Sequence, residues 1–285
     1  MYTKFNALFS LRILPTFKPK EVSAMMFLPD RIQKIVGKSQ HIVDNVGMSN
    51  ACILYFEDKV LKIQENTEAS NKEYVMMKWL QNRISVPEII AFEQEDNHDY
   101  LLMTKLDGQM ACDNIYMTNP DLLVHLLAKA IHTLWDVDIS DCPSVTDLDW
   151  KLKKACYAVE HNLVDLDLFE PGSYGGDFDT PQELLDWLIR NRPDEKLVLS
   201  HGDFSLPNLF FKDDSLSGFI DLGRAGIADQ YQDIALCYRS LINNFSGKYN
   251  HNRYDGFDPN LFFKELGIEP DWQKINYYIL LDELF

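Results

Sequence analysis

Residues 201–208 read HGDFSLPN, and residues 219–224 read FIDLGR. In the first stretch a carboxylate, Asp203, and a carboxamide, Asn208, lie five positions apart in a loop between two short apolar runs. In the second stretch Asp221 ends an apolar strand, and a glycine two residues later lets the chain turn sharply. The two loops can therefore direct three oxygen-bearing side chains into one cleft.

The chemistry of these three side chains indicates phosphoryl transfer. Oxygen ligands suit magnesium, a hard cation that binds one or two protein carboxylates or carbonyls and fills its other positions with water and phosphate. Asp203 is then left to accept a proton. The loose transition state of phosphoryl transfer needs the reacting groups to be positioned and the phosphate charge to be neutralised. A carboxylate that holds the hydroxyl and a magnesium ion that binds the phosphates supply both. An isolated Asp is usually a helix cap or turn residue, but the ordered set H-x-D, Asn and D-x-G favours a magnesium-dependent kinase.

Composition limits the classes of partner. The chain has 285 residues, of which 46% are hydrophobic and 25% charged, as in an ordinary globular protein. Its 27 basic and 44 acidic residues give a net charge of −17, which repels nucleic acid and anionic membranes. No apolar run approaches the ~20 residues that span a bilayer. Five scattered cysteines without a C-x-x-C pair indicate reduced thiols. We therefore expect a cytoplasmic monomer or weak dimer that binds neither nucleic acid nor membrane.

The chain divides into two parts by pattern. Residues 30–103 are rich in short strands, interrupted by one helix over 71–82, whereas long amphipathic helices begin beyond Gly108. We expect a disordered N-terminal extension (1–24), with Met25 or Met26 as an alternative start. The pattern predicts a first lobe (25–103), a short connection (104–107) and a second lobe (108–285).

Start signals and short apolar runs predict the individual elements. Asn119 followed by Pro120 predicts a helix to Trp135, and a capping box at Thr180 predicts one to Arg190. The predicted strands are 51–56, 59–63, 100–103, 197–199, 209–211 and 218–220, with the last two joined across Asp213 and Asp214.

The pair of loops resembles the catalytic and metal loops of the aminoglycoside phosphotransferases, relatives of the protein kinases. Three further segments are similar to the aminoglycoside 3'-phosphotransferases in particular: ADQYQDIALCYRSL (228–241), DISDCP (138–143) and YYILLDELF (277–285). The resemblance covers residues 30–285. It implies an α+β, two-lobed protein-kinase-like fold with an N-terminal antiparallel sheet and one helix, and a larger, mainly helical C-terminal lobe.

The resemblance also implies roles for residues around the phosphates. Asp203 would be the catalytic base or would orient the hydroxyl, and Asn208 and Asp221 would hold Mg²⁺. Lys62 would reach the α- and β-phosphates from a strand, although a lysine between apolar residues is more often an exposed strand residue. Glu73, on the following helix, matches the family's partner for this lysine and favours the functional interpretation.

The adenine and phosphate contacts are implied in the same way. Adenine would bind backbone groups of the hinge at Thr104 and Leu106, next to Met103, and Ser49 would contact the β-phosphate. The loop that contains Ser49 is not the glycine-rich loop of protein kinases. Val60 stands where the family often places an aromatic ring over adenine. The donor is therefore expected to be ATP, or GTP.

Acidic residues mark the acceptor side. The loop 165–179 is acidic, and Glu170, Glu283 and Phe285 fall where the family binds the amines of the drug, although acidic loops are usually only solvated surface. Arg224 would bond an acidic neighbour or the transferring phosphate, with a purely structural ion pair as the alternative.

We therefore expect an aminoglycoside O-phosphotransferase that modifies the 3'-hydroxyl and confers antibiotic resistance. Asn243 and Asn244 stand where relatives carry an acidic pair, which predicts an altered drug spectrum. One alternative is a kinase for another small hydroxyl acceptor, such as choline, methylthioribose or a different antibiotic. The other is a catalytically inactive nucleotide-binding module.

Overall fold

An antiparallel sheet forms the first part of the described chain. The computed structural model describes residues 28–44, 51–166, 178–249 and 252–285. The extension 1–24, Ser49 and Glu170 lie outside them. The five strands run in the order β1-β2-β3-β5-β4, and every neighbouring pair is antiparallel. The elements are α1 (Asp30–Val36), β1 (Ile42–Asp44), β2 (Cys52–Tyr55), β3 (Lys59–Glu65), α2 (Glu68–Leu80), β4 (Ile89–Glu95) and β5 (His98–Thr104).

Helix α2 begins at a cap that the hydrophobic periodicity did not reveal. The Thr67 side chain accepts a hydrogen bond from the Ser70 N–H at 3.1 Å, and Ser70 Oγ accepts from the Thr67 N–H at 2.8 Å. This reciprocal pair satisfies two amide groups of the first turn. The helix therefore starts three residues before the predicted Asn71, and it buries Met76 and Met77.

The second part of the chain is mainly helical. A two-stranded ladder, β10-β7, and a three-stranded sheet, β6-β8-β9, lie among its helices. Its elements are β6 (Gln109–Met110), α3 (Asn114–Met117), α4 (Pro120–Trp135), α5 (Leu148–Glu160), α6 (Pro181–Arg190), β7 (Leu197–Ser200), β8 (Leu209–Lys212), β9 (Ser215–Phe219), β10 (Gly226–Asp229), α7 (Gln230–Phe245), α8 (Asn260–Leu266) and α9 (Trp272–Asp282). The predicted α+β class with two kinase-like lobes is confirmed.

The predicted start signals cap helices as expected, with one difference. Asn119 caps α4, and Thr180 Oγ1 accepts from the Glu183 N–H at 3.2 Å at the start of α6. The Glu183 carboxylate, however, accepts from the Asp179 N–H at 2.9 Å instead of closing a capping box on Thr180. The turn between β8 and β9 has positive φ at both Asp213 and Asp214, as a two-residue hairpin requires.

The two lobes share one hydrophobic core. Met76 and Met77 of α2 and Leu101 of β5 belong to the same buried cluster as the apolar faces of α4 and α7. A smaller cluster lies on the other face of the sheet, where α1 contributes Ile32 and Val36. Helix α2 is therefore attached to both lobes. Among the described helices, none is long and apolar enough to cross a membrane.

Candidate active site

The loop that carries Asp203 is fixed to α7 by one buried carboxylate. Asp233 accepts hydrogen bonds from Ser200 Oγ at 2.9 Å, from the His201 N–H at 2.8 Å and from the Gly202 N–H at 3.0 Å. Burial raises the pKa of Asp233 above its ordinary value, against the opposing effect of these hydrogen bonds. Three donors in a row hold the start of the loop in one conformation.

A close backbone approach joins this loop to the loop after Asp221. Gly202 has a φ of +81°, and a Cβ added there would lie 2.2 Å from the carbonyl oxygen of Arg224. Only glycine fits, because any side chain would collide with that backbone and would also disfavour the positive φ.

His201 makes a second bridge between the two loops. Its Nδ1 lies 3.3 Å from the Asp203 N–H, which donates to it, and its Nε2 lies 2.9 Å from the carbonyl oxygen of Ile220. A ring nitrogen that accepts from an amide carries no proton, and one that faces a carbonyl must donate. We assign the neutral Nε2–H tautomer to His201 from these partners. The histidine therefore sets the spacing between Asp203 and the end of β9.

Asp203 and Asn208 are in direct contact. The Asn208 Nδ2 donates to Asp203 Oδ2 and to the Asp203 carbonyl oxygen, both at 3.0 Å. Because its amino group is used in this way, the side-chain oxygen of Asn208 is the atom left to bind a ligand. The Ile220 N–H donates to the backbone carbonyl of Asn208 at 3.0 Å, which places Asp221 beside it.

A buried lysine lies between two carboxylates at the base of the sheet. Lys62 Nζ is 2.9 and 2.8 Å from the two carboxylate oxygens of Glu73 and 3.0 Å from Asp221 Oδ1. Gln64 Nε2 donates to Glu73 at 3.1 Å. Burial lowers the pKa of Lys62, but Glu73 and Asp221 outweigh it and raise that pKa overall. The predicted pair thus exists, with Asp221 as an additional partner.

Asp221 has an uncommon backbone conformation. Its φ of 61° and ψ of 58° are left-handed, a region that a non-glycine residue adopts at a cost of about 1–3 kcal/mol. Its side chain is 47% exposed, so the carboxylate is open to the cleft. Burial raises the pKa of this carboxyl, but the Lys62 ammonium overrides that effect and holds it below the ordinary value.

The two oxygen-bearing side chains fit a magnesium ion that binds together with a nucleotide. Asn208 and Asp221 supply hard oxygen atoms. The described residues contain no group of three or more His, Cys, Asp or Glu residues that could enclose a metal alone. Two protein ligands match a cation that takes its remaining ligands from phosphate and water.

Two of the four hinge amides, those of Leu106 and Asp107, make no hydrogen bond within the described residues. The Thr104 N–H donates to the Glu88 carbonyl at 2.9 Å, and the Lys105 N–H donates to the Asp58 carbonyl at 3.1 Å. The Leu106 N–H makes no hydrogen bond within the described residues. Met103 is buried beside it. The hinge therefore offers the Leu106 amide to a ligand, whereas the Thr104 amide is occupied.

On the acceptor side, carboxylates are bonded to arginines. Arg224 Nη1 donates to Asp282 Oδ1 at 2.8 Å, and Arg239 binds the other oxygen of Asp282 and lies 3.6 Å from Glu283. The nearby Asp282 raises the pKa of Arg224. Arg224 thus pairs with an acidic neighbour, as one of the alternatives predicted. The Glu283 side chain is only 5% exposed, so the structure directs it inward.

Phe285 lies between charged groups of different helices. Its ring centroid is 5.6 Å from Lys151 Nζ and 5.8 Å from Arg224 Cζ, and the residue is half-exposed. Burial, with the neighbouring Arg224, lowers the pKa of Lys151 to about 8. Sequence reasoning missed Lys151, as it missed Asp233. Each of these two residues could have been found from the sequence as a charged residue at a buried position of an amphipathic helix, α5 or α7.

The two asparagines of α7 lie behind the loop of Asp203. Asn244 Nδ2 donates to the Ser240 carbonyl at 2.8 Å, and Ser240 Oγ accepts from the Leu206 N–H at 3.0 Å. Asn243 Nδ2 donates to the Tyr249 hydroxyl at 2.9 Å. Both side chains are buried, and Asn244 supports the loop through Ser240, whereas Asn243 bonds Tyr249.

An antiparallel sheet above a helical lobe, with a buried Lys–Glu pair, an H-x-D loop and a D-x-G loop, defines a kinase-like phosphotransferase. Residues 54–273 match the model of the phosphotransferase enzyme family, APH. An aminoglycoside 3'-phosphotransferase of Enterococcus faecalis is 38% identical over 92% of this chain and all of that protein. One of Staphylococcus aureus is 37% identical over the same shares. The chain therefore belongs to the phosphotransferase enzyme family, together with these aminoglycoside 3'-phosphotransferases.

Solved structures share the fold. The aminoglycoside phosphotransferase APH(3'')-Id of Streptomyces rimosus superposes with a TM-score of 0.76 at 23% identity, covering 93% of this chain and 98% of that one. The same enzyme in complex with ADP and streptomycin gives a TM-score of 0.72 at 22% identity, with the same coverage. At this identity the likeness supports the fold alone.

Proposed function

We propose that this protein transfers the γ-phosphate of ATP, or of GTP, to the 3'-hydroxyl of an aminoglycoside and thereby confers resistance to the drug. The observation that carries the proposal is the convergence of Lys62, Asp203, Asn208 and Asp221 at one cleft, in a chain whose close relatives are aminoglycoside 3'-phosphotransferases.

In the proposed mechanism Asp203 orients the acceptor. Its carboxylate accepts a hydrogen bond from the sugar hydroxyl and takes the proton as the new O–P bond forms and the bond to the leaving diphosphate breaks. Asn208 holds the carboxylate in place through the 3.0 Å hydrogen bond. The hydroxyl oxygen is thereby positioned in line with the phosphorus, which lowers the entropic part of the barrier.

The nucleotide is held by the opposite side of the cleft. Lys62, fixed by Glu73, would contact the α- and β-phosphates, and the adenine would contact the hinge at Leu106 and Thr104, beside Met103. Asn208 and Asp221 would hold Mg²⁺, which neutralises charge on the phosphates. Ser49, outside the described residues, stays a prediction as a β-phosphate contact. The nucleotide lobe is proposed to be 25–103, with the hinge at 104–107 and the second lobe at 108–285.

The acceptor is proposed to be a polycation. The net charge of −17 attracts polyamines over a distance. Phe285 and Arg224 border the site, with Glu283 behind them, and Glu170 belongs to the acidic loop that lies largely outside the described residues. Free thiols, which include the buried Cys237, agree with action in the reducing cytoplasm, where nucleoside triphosphates are made.

A panel of acceptors tests this function. Phosphorylation of kanamycin, neomycin, amikacin and choline is measured with ATP and with GTP, and the modified position is located by NMR. We expect turnover of kanamycin and neomycin with phosphate on the 3'-oxygen. Phosphate on another hydroxyl would contradict the assigned position. Turnover of choline alone would favour another small acceptor, and an absence of turnover with intact nucleotide binding would favour an inactive module.

A further inference from the structure

Trp150 on α5 lies outside the hydrophobic core. It belongs to neither buried cluster and makes no ring–ring contact within the described residues. Its ring is approached by two ammonium groups instead, Lys72 Nζ at 5.0 Å and Lys154 Nζ at 5.4 Å from the centroid. A large aromatic residue that contacts cations rather than apolar side chains indicates a role other than core packing.

The two lysines come from different lobes. Lys72 is on α2, beside the sheet, and Lys154 lies one turn after Trp150 on α5. Glu68, one turn before Lys72 on α2, pairs with Lys154 at 2.5 Å. Each helix thus contributes one i, i+4 pair, and the two pairs meet across the lobe boundary. We call these four residues the cross-lobe clamp.

The clamp is adjacent to the ion pair that would position the phosphates. Glu73, the partner of Lys62, directly follows Lys72 on α2. A rotation or displacement of α2 that separated Lys72 from Trp150 would therefore also move Glu73 relative to Lys62. At the other end of the helix, Trp79 donates to Asp141 at 3.1 Å. Helix α2 is thus held against the helical lobe at both ends.

The environment of Lys72 strengthens its contact with the ring. Burial lowers the pKa of Lys72 to about 8, with a smaller opposing effect of Glu68. An ammonium that has lost part of its water interacts more strongly with an aromatic face than an exposed one. Exposed cation–π contacts contribute little, whereas this one is partly desolvated.

We propose that Trp150 is a positioning residue for nucleotide binding: through the cross-lobe clamp it holds α2 in the orientation that keeps Glu73 paired with Lys62. The kinase-like cleft would then be assembled before the nucleotide arrives. This inference rests on the proposed function for the identity of the nucleotide site, but it concerns nucleotide binding and not the acceptor.

Trp150→Leu tests the inference, with Trp150→Phe as the conservative variant and Lys153→Met as the control. Lys153 is an exposed lysine on the same helix. The dissociation constant of the Mg²⁺ complex of a non-hydrolysable ATP analogue is measured by calorimetry, without any acceptor. We expect Trp150→Leu to weaken binding about tenfold, Trp150→Phe to recover most of the loss, and Lys153→Met to match the wild type.

Kinetics separates positioning from general destabilisation. Trp150→Leu should raise the KM for ATP more than the KM for the aminoglycoside, because Trp150 and Lys154 hold α2 directly through Lys72 and Glu68. If Trp150→Leu does not fold, Lys154→Met paired with Glu68→Gln breaks the same clamp. Nucleotide affinity equal to that of Lys153→Met in the clamp variants would overturn the inference. A wild type that binds nucleotide but phosphorylates no aminoglycoside would contradict the proposed function alone.

Discussion

The two sides of the cleft distribute charge in opposite ways. On the nucleotide side one cation, Lys62, lies between the carboxylates of Glu73 and Asp221. On the acceptor side one carboxylate, Asp282, is bound by two arginines, with the buried Lys151 close to it. On the nucleotide side one cation is thus shared by two carboxylates, whereas on the acceptor side one carboxylate is shared by two arginines.

This difference bears on how a polycationic drug could bind. Asp282 and Glu283 already face arginines, so a drug amine that used either carboxylate would have to compete with Arg224 or Arg239. On the nucleotide side, phosphates would share Lys62 with the carboxylates of Glu73 and Asp221. We therefore expect mutations on the nucleotide side to act on assembly of the cleft, and those on the acceptor side to act mainly on substrate choice.

The largest expected effect is a loss of kcat on replacement of Asp203, which lies between the two sides of the cleft. Asp203→Asn keeps the shape of the side chain but cannot accept the proton, so kcat should fall by about 10²–10⁴-fold. The affinity for the nucleotide should stay within about twofold. Steady-state kinetics and calorimetry measure the two quantities. Asp186→Asn, an exposed aspartate on α6, is the control, and a kcat unchanged in Asp203→Asn would refute the proposed mechanism.

Removal of one charge from the buried pair should cost stability. Glu73→Gln leaves Lys62 with Asp221 alone, so the free energy of unfolding should fall by about 3 kcal/mol, and kcat/KM for ATP should fall with it. Urea denaturation measures the first quantity. The double variant Lys62→Met with Glu73→Met should lose less stability than Glu73→Gln, although it should be inactive, since no unpaired charge remains buried.

On the acceptor side the removal of a charge should increase stability. The pKa of Lys151 is lowered from the ordinary value of 10.5 to about 8. Below pH 8 both states carry the proton and the folded state bears the cost of the buried charge. Between pH 8 and 10.5 only the unfolded state keeps the proton, so wild-type stability should rise through this window. Lys151→Met should therefore be more stable at pH 7 by about 3 kcal/mol and should lack that rise.

Melting temperatures from pH 7 to pH 10.5 measure this prediction, with Lys153→Met as the matched control. Groups that titrate in the same range without interacting with Lys151 cancel in the difference between the two proteins, whereas Lys72, whose charge helps to lower the pKa of Lys151, does not. A Lys151→Met variant no more stable than the wild type at pH 7 would show that Lys151 is compensated by its neighbours.

The smallest expected effect is a change of drug profile. The asparagine pair at 243 and 244 predicts weaker action on those aminoglycosides whose outer ring depends on an acidic pair, with retained action on kanamycin-like and neomycin-like compounds. Asn243→Glu should shift the ratio of kcat/KM between the two drug classes several-fold. Asn244→Asp should also weaken the loop, because it removes the donor to the Ser240 carbonyl. An unchanged profile in both variants would exclude the pair as a determinant.

The sequence predicted the parts of the site whose geometry is local. Asp203, Asn208 and Asp221 belong to two short loops at the ends of strands, and such loops keep their polar residues close whatever surrounds them. The Lys62–Glu73 pair was predicted only through the family resemblance, and the structure brings its charges to 2.8 Å. Nothing in the apolar-Lys-apolar pattern alone distinguishes that lysine from an exposed one.

The elements and site residues that the sequence did not predict depend on contacts between distant parts of the chain. Helix α1 has seven residues and two buried side chains, too few for a helical period to be recognised. Strand β4, Ile89–Glu95, alternates only weakly because most of its residues are half-buried. Asp233 and Asp282 are acids in helices whose partners lie about 30 and 60 residues away in the chain, so their roles follow from the fold and not from local sequence.

The contact between Gly202 and Arg224 limits how the enzyme can move. A distance that leaves no room for a Cβ, reinforced by the bridge of His201, joins the loop of Asp203 to the loop that follows Asp221. Opening of the cleft cannot separate these two loops. Any movement of the five-stranded sheet relative to these loops would act on the bond between Lys62 and Asp221, which connects the sheet to the second loop.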